Sequence, residues 1–390
     1  MNYQVVKYRL AILTSHPIQY QAPLFRKLAA APEAELLVIF RKKLQGGYFD
    51  KEFDRKIVWD VPLLNGYRSI FLNFPWSVGS VLRKEKPNVL IVYGWNAFSN
   101  WQAIWFAVCR KIPFFIYGES PLNQEILKKN ILWLFRKPLL RFLFRKAAGC
   151  FYIGEENRKF YEHFGVPREK LFFTPYAVEN ERFVHSVVGS KKLEIRKRLN
   201  INKDDVVILF VGKLIPKKRP SDLLKAYELL VTDHELKIIP HLLFVGDGLL
   251  RGGLEKYSSG HNLKNVHFIG FKNQTELPLY YATSDIFVLP SGMGETWGLV
   301  VNEVMCLGLP IIVSDVVGCG PDLVYHGRNG YIFPVGDTEE LARVLFGLIK
   351  DQSLRKKFGE ESSKIIKNYS YKEDLRGIQN AVGKYGSSSL

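Results

Sequence analysis

The segment Leu289-Pro-Ser-Gly-Met-Gly-Glu-Thr-Trp-Gly-Leu-Val-Val-Asn-Glu-Val-Met-Cys-Leu-Gly-Leu-Pro310 decides how this chain is read. The apolar run ending at Leu289 reads as a buried strand, and the glycine-rich loop after it leads into a helix predicted from Thr296 to Gly308, with Pro310 opening the next strand. The free N–H groups at that helix start form an anion site suited to a diphosphate. Glu295 lies at the helix mouth and Glu303 farther along the same helix, about 12 Å on at 1.5 Å per residue. Two carboxylates so spaced suit two different sets of sugar hydroxyls. The plain alternative is a capping role for Glu295 and a solvated helix position for Glu303. Against it, Glu303 lies within the mostly apolar run Leu299 to Leu309, where an unpaired charge costs several kcal/mol, so a ligand or a cation is expected beside it.

Outward from this segment, short apolar runs alternate with amphipathic stretches, the pattern of strand–helix units in a parallel sheet. Arg9–Thr14, Leu36–Phe40, Val89–Tyr93, Phe114–Tyr117 and Gly149–Ile153 read as strands of a first half. Val206–Val211, His241–Val245, Val266–Ile269, Ile286–Leu289 and Pro310–Ser314 read as those of a second. Between the halves, Thr174 to Phe183 and the polar stretch Ser186 to Lys192 fit no strand–helix unit. The expected class is therefore α/β, with two Rossmann-like doubly wound parallel-sheet domains facing across a cleft. Their expected bounds are 1–177 and 178–370, with a last helix in 371–390 packing back on the first domain.

The second informative segment is Phe210-Val-Gly-Lys-Leu-Ile-Pro-Lys-Lys-Arg-Pro220, between a strand and a helix predicted from Ser221. Gly212 lets a phosphate approach closely, and Lys213 and Lys218 are placed to converge on pyrophosphate oxygens as point charges. Taken alone, the segment is equally a solvated basic loop.

Together these segments resemble the donor domain of glycosyltransferase family 4, retaining enzymes of the GT-B fold. Glu295 and Glu303 match that family's Glu-x7-Glu, and Gly212, Lys213, Leu214 and Lys218 match its Gly-Arg/Lys-Leu…Lys-Gly loop. Further echoes are Val245-Gly-Asp-Gly, Ala282-Thr-Ser-Asp-Ile-Phe-Val-Leu-Pro-Ser, Asp315 to Asp322 and Gly327-Arg-Asn-Gly, in order over residues 174–370. The resemblance implies that Lys213 and Lys218 neutralise the donor diphosphate, that Glu303 holds ribose hydroxyls and that Glu295 contacts the donor sugar. It also implies a donor-binding set of Gly212, Gly246 and the backbone of Thr296, Trp297, Gly298 and Leu299. On the same resemblance the expected catalytic group is Glu295, Lys218 and Lys213, with no metal or other cofactor expected. The chain departs from the family at Arg219, where glycine is usual, and at Trp297, where phenylalanine is common.

The first half is less explicit. Its opening strand runs into Thr14-Ser-His-Pro-Ile-Gln-Tyr-Gln-Ala-Pro, where many relatives carry glycines. His16 at that strand end suits a leaving phosphate or an acceptor hydroxyl, with a structural histidine as the alternative. Glu119 follows another strand, near where the family often places a His-Asp pair, and is assigned to the acceptor or sugar side. The basic, aromatic stretch 127–146 suits an amphipathic surface on anionic lipid, or equally a core helix pair broken at Pro138.

Composition fits a globular two-domain protein, with 47% hydrophobic residues across 390. The formal charge of +17 admits nucleic acid, anionic membrane or phosphorylated substrates as partners. No run is long and apolar enough for a membrane span, and Leu10–Leu13 is too short for a signal-peptide core, which gives a cytoplasmic expectation, with peripheral contact at the inner membrane face only on the lipid reading of 127–146. Cys109, Cys150, Cys306 and Cys319 form no Cys-x-x-Cys pair, so neither zinc nor a disulfide framework is expected. The reading is a transferase that moves a sugar from a UDP- or GDP-linked donor to a glycan or lipid-linked acceptor. Its rivals are a nucleotide-sugar epimerase or phosphorylase on the same fold, an inactive donor-binding scaffold and a nucleic-acid-binding protein; the last leaves Glu295 and Glu303 unexplained, so no nucleic acid is expected.

Overall fold

The computed structural model describes residues 8–43, 48–50, 55–127, 132–185, 189–232, 236 and 240–386. The chain forms two compact units, one from residues 1–46, 62–177 and 370–390 and the other from 47–61 and 178–369.

In chain order, the strands are β1 (Tyr8–Thr14), β2 (Ala34–Phe40), a short antiparallel hairpin of β3 (Tyr48–Asp50) and β4 (Arg55–Ile57), then β5 (Arg68–Phe71), β6 (Val89–Tyr93), β7 (Phe114–Tyr117), β8 (Gly149–Tyr152) and β9 (Leu171–Phe173). Apart from the hairpin they form one parallel sheet in the order β5-β2-β1-β6-β7-β8-β9. The second unit continues with β10 (Val207–Val211), β11 (His241–Val245), β12 (Val266–Gly270), β13 (Ile286–Leu289), β14 (Ile311–Ser314) and β15 (Gly330–Phe333), parallel in the order β12-β11-β10-β13-β14-β15. In β10, β11, β13 and β14 every residue is buried. A parallel sheet covered by helices on both faces demands this, and it explains why these strands appear as unbroken apolar runs.

Strand order reverses beside β1 in the first sheet and beside β10 in the second. At such a switch point the loops leaving neighbouring strands diverge, and the carboxyl ends of the strands are left accessible to a ligand.

The structure differs from expectation at residues 47–61 and 189–198. The segment 47–61 groups with the second unit, because the Val58 carbonyl accepts from Asn273 Nδ2 at 2.8 Å and the Asp60 carboxylate accepts from Thr275 N at 3.1 Å. The first unit regains the chain at Ser370, and the helix Tyr371–Gly386 lies in it, with the Tyr371 hydroxyl donating to the Tyr20 carbonyl at 2.7 Å. A helix, Gly189–Arg198, begins inside the polar stretch read as linker. It holds its place through Ile195 and Arg196, the latter donating to the carbonyls of Thr283, Asn202 and Asp205 at 2.9, 2.7 and 2.6 Å, rather than through an apolar stripe. Residues 186–188 of that stretch, and 128–131 of the basic stretch 127–146, lie outside the described residues.

Candidate active site

The loops leaving β10 and β13, adjacent in the second sheet, meet at its switch point. After β10 the backbone turns at Gly212, whose φ of 154° only glycine adopts easily. Gly212 N donates to the Val245 carbonyl at 3.0 Å and Leu214 N to that of Asp247 at 2.8 Å, so the loops after β10 and β11 are clasped. Gly246 is obligatory there, since a Cβ on it would fall 1.9 Å from the Gly212 carbonyl oxygen.

A short 3-10 turn, Pro216–Lys218, then carries Lys218 to Glu295, and their side chains form an ion pair that is largely shielded from water. Ser291 Oγ donates to the same carboxylate oxygen at 3.0 Å, and Gly292 N donates to the Lys217 carbonyl at 2.8 Å, which binds the two loops together. Burial alone would push the Glu295 carboxyl up. Lys218, Lys217 and the Ser291 hydroxyl outweigh it and hold the group below its ordinary range, so Glu295 is ionised at neutral pH. Arg219, at the position where the resemblance leads one to expect glycine, has a left-handed φ of 50°. Its guanidinium pairs with Asp222 at 2.5 Å, and its stem runs beside Gly292.

The helix predicted from Thr296 starts only at Val300 and runs to Met305. Glu295 to Leu299 are instead held irregular by tertiary backbone bonds: Gly318 N donates to the Glu295 carbonyl at 3.1 Å and Cys319 N to the Trp297 carbonyl at 3.0 Å. Gly298 turns at a φ of 95°. The rise per residue of a helix therefore does not describe the separation of Glu295 from Glu303. The Trp297 ring is buried, its Nε1 donating to Asn302 Oδ1 at 2.8 Å, so the indole braces the loop and leaves backbone toward the site.

Glu303 is buried and has protein partners: the Tyr281 hydroxyl donates to its Oε2, and Gln274 also hydrogen-bonds it. Gln274 is in turn gripped by Arg182, whose Nη1 and Nη2 reach the Gln274 carbonyl and Oε1, each at 3.0 Å. Burial pushes the Glu303 carboxyl up, and the Tyr281 bond, the Arg182 charge and the Gln274 bond only partly offset it. The partner expected for this carboxylate is thus a tyrosine and an amide backed by an arginine. Neither Tyr281, one residue before the quoted Ala282-Thr-Ser-Asp motif, nor Arg182, in the segment read as linker, was legible as functional.

Residues 191–365 match the family described as glycosyl transferases group 1. The chain's match to this family covers a little under half of its length. Its relatives include N-acetyl-alpha-D-glucosaminyl L-malate synthase of Bacillus anthracis, 30% identical over 48% of this chain and 50% of that protein. The chain thus spans about half the length of that curated relative. Over nearly the whole chain the fold is similar to that of Anabaena HepE, solved in complex with UDP (TM-score 0.75, 16% identity, 96% of this chain and 100% of that one). It is likewise similar to a glycosyltransferase from Rickettsia africae (TM-score 0.76, 14% identity, 99% and 100%). The two Rossmann-like parallel-sheet units are those of the GT-B fold.

Of the residues singled out in the sequence, Gly212, Lys213, Lys218, Gly246, Glu295 to Leu299 and Glu303 lie in the second unit, His16 and Glu119 in the first. Ser15 Oγ lies 3.0 Å from His16 Nδ1, and burial, Lys42 and Arg41 together lower the His16 pKa. Burial raises the Glu119 carboxyl, opposed by a hydrogen bond with Tyr176. Among the described residues, no group of three His, Cys, Asp or Glu side chains is placed to hold a metal ion.

Proposed function

We propose that the protein is a retaining glycosyltransferase that moves a hexosyl group from a UDP- or GDP-linked sugar to a glycan or lipid-linked acceptor. The observation that carries this reading is the Lys218–Glu295 pair at the carboxyl ends of β10 and β13. A diphosphate draws Lys218 away from Glu295 and, with Lys213, spreads the charge that develops on the leaving group. Glu295, released, turns to the donor sugar's hydroxyls, while Glu303 holds those of the ribose. Gly212 and Gly246 keep the phosphate approach free of side chains, and the backbone of Thr296, Trp297, Gly298 and Leu299 completes the donor contacts. Front-face displacement with retention follows, the lysines supplying the positive charge, with no metal expected. The UDP bound to HepE favours a uridine donor.

The acceptor side belongs to His16 and Glu119 in the first unit. Peripheral contact with anionic membrane, first assigned to 127–146, extends in this reading to a layer of neighbouring helices. Helices Val78–Glu85, Phe98–Arg110 and Leu132–Lys146 share one core beneath the sheet. Their outer side exposes Phe98 (64%), Trp105 (70%) and Phe142 (50%), with Arg145 and Lys146 over the Phe142 ring. No Asp or Glu occurs from Lys86 to Gly118 or from Ile126 to Gly154. Exposed aromatic rings beside segments rich in Lys and Arg suit a lipid interface. No helix among the described residues is long and apolar enough to cross a membrane.

The test is release of nucleoside diphosphate from a panel of UDP-, GDP- and ADP-sugars by the wild type, Glu303→Ala and Lys218→Ala. Release from one donor, dependent on added acceptor and collapsing in both variants, supports transfer. Turnover without acceptor points to an epimerase or phosphorylase, and no binding of any nucleotide sugar overturns the reading.

A further inference from the structure

At the carboxyl ends of β1 and β2, the first unit gathers cations around a histidine. Thr14 and Phe40 are partners in the parallel ladder. Beyond it Arg41 N still donates to the Thr14 carbonyl at 3.1 Å and Lys42 N to the Ser15 carbonyl at 2.9 Å. The two strand ends are therefore locked side by side, Ser15-His16 against Arg41-Lys42. Arg41 is only partly exposed, and its Nε is buried without a hydrogen-bond partner among the described residues. Among the described residues neither Arg41 nor Lys42 has a carboxylate partner.

Such an arrangement is costly on its own. A guanidinium N–H taken from water without an acceptor loses free energy, and like charges held beside an imidazole repel. An oxyanion removes both costs. Arginine offers a planar fork that matches a phosphoryl group, lysine adds a point charge, and the histidine becomes a further donor when protonated. The place is one where open parallel sheets receive ligands, the carboxyl edge next to the switch point at β1.

We infer that Ser15, His16, Arg41 and Lys42 form a subsite for a phosphoryl group, and that this group belongs to the acceptor. The second part rests on the transfer reading, in which the groups assigned to the donor diphosphate, Lys213 and Lys218, lie in the other unit.

The experiment follows the His16 ring by NMR in the full chain, the resonance being assigned with His16→Gln, while inorganic phosphate is added to the wild type, Arg41→Gln and Lys42→Gln. Phosphate raises the His16 pKa in the wild type, and each variant weakens the effect about tenfold, the loss of one charge-assisted contact. Proton–nitrogen spectra of the variants show that they remain folded. An unmoved His16 in the wild type, or a response in both variants as strong as the wild type's, overturns the subsite. Octyl phosphate and UDP separate the sources. Octyl phosphate shifting His16 equally in the wild type and Lys218→Ala supports an acceptor phosphate. A shift by UDP that vanishes in Lys218→Ala assigns the subsite to the donor and overturns the acceptor part. Phosphate binding survives even if no nucleotide sugar is turned over, so failure of the transfer reading is distinguishable.

Discussion

Lys218 and Glu295, from loops that leave two adjacent strands of the second sheet, neutralise each other through a direct ion pair. Each is the other's counter-ion before any ligand arrives. Glu295→Gln is therefore expected to free the lysine and bind nucleoside diphosphate more tightly, while transfer falls. Lys218→Ala lowers kcat by about 10²-fold, the usual loss when one group that stabilises developing negative charge is removed. Calorimetry with UDP and GDP alongside turnover checks both; weaker nucleotide binding by Glu295→Gln would count against the exchange of partners.

Tyr281→Phe leaves the buried Glu303 carboxylate without its hydroxyl partner. The expected cost is about 1–3 kcal/mol of stability. The Glu303 carboxyl rises further, and donor KM increases with little change in kcat. A thermal melt and a KM-against-kcat comparison measure it, and an unchanged melting temperature would remove Tyr281 from the support of Glu303.

Gly246→Ala forces a methyl to 1.9 Å from the Gly212 carbonyl at a φ of 145°. The loops after β10 and β11 must then part, so the variant loses nucleotide affinity as well as about 2 kcal/mol or more of stability. Parallel melting and binding curves decide whether both losses occur together.

Asp374 is buried, its Oδ1 has no hydrogen-bond partner among the described residues, and burial pushes its carboxyl well above the ordinary range. Folded protein keeps this proton to a higher pH than the unfolded chain, so stability falls as pH rises from the usual carboxylate range through the raised folded value. Asp374→Asn is expected to be more stable at neutral pH by about 1 kcal/mol or more, and its pH–stability curve to lack that decline. Denaturant midpoints from pH 4 to 8, a span of roughly the carboxylate window and above, reveal it.

Trp105→Ala with Phe98→Ala should abolish sedimentation with vesicles containing phosphatidylglycerol while leaving nucleotide binding intact. Added salt weakens the wild-type association, because the cationic part of the attraction is screened. Equal binding to neutral and anionic vesicles would contradict the assigned surface.

The sequence made the central strands plain, because residues buried on both faces leave unbroken apolar runs such as Ile286–Leu289. The strands it hid are short or half-exposed. β5 reads Arg-Ser-Ile-Phe, β9 has three residues, and β15 opens at Gly330, where a Cβ would lie 1.8 Å from the Ile311 carbonyl. Glycine loops and acidic spacing brought out Lys218, Glu295 and Glu303, whereas Tyr281, Gln274 and Arg182 come from distant segments with no shared pattern. The false helix start at Thr296 has the same origin: its backbone is claimed by Gly318 and Cys319, which no local propensity reveals. Arg219 hides a backbone requirement that glycine would have advertised.

The first unit is assembled from three stretches of chain, the last being residues 370–390. During synthesis its sheet emerges early, yet the helix Tyr371–Gly386 that packs against β9 and the helix Ala22–Ala30 leaves the ribosome only after the second unit has been made. The early half must wait, with an apolar face uncovered, until residues 178–369 have been translated. Cutting the chain at residue 177 therefore yields no self-sufficient half: a fragment 1–177 needs residues 370–390 supplied as a peptide before it becomes soluble and cooperative.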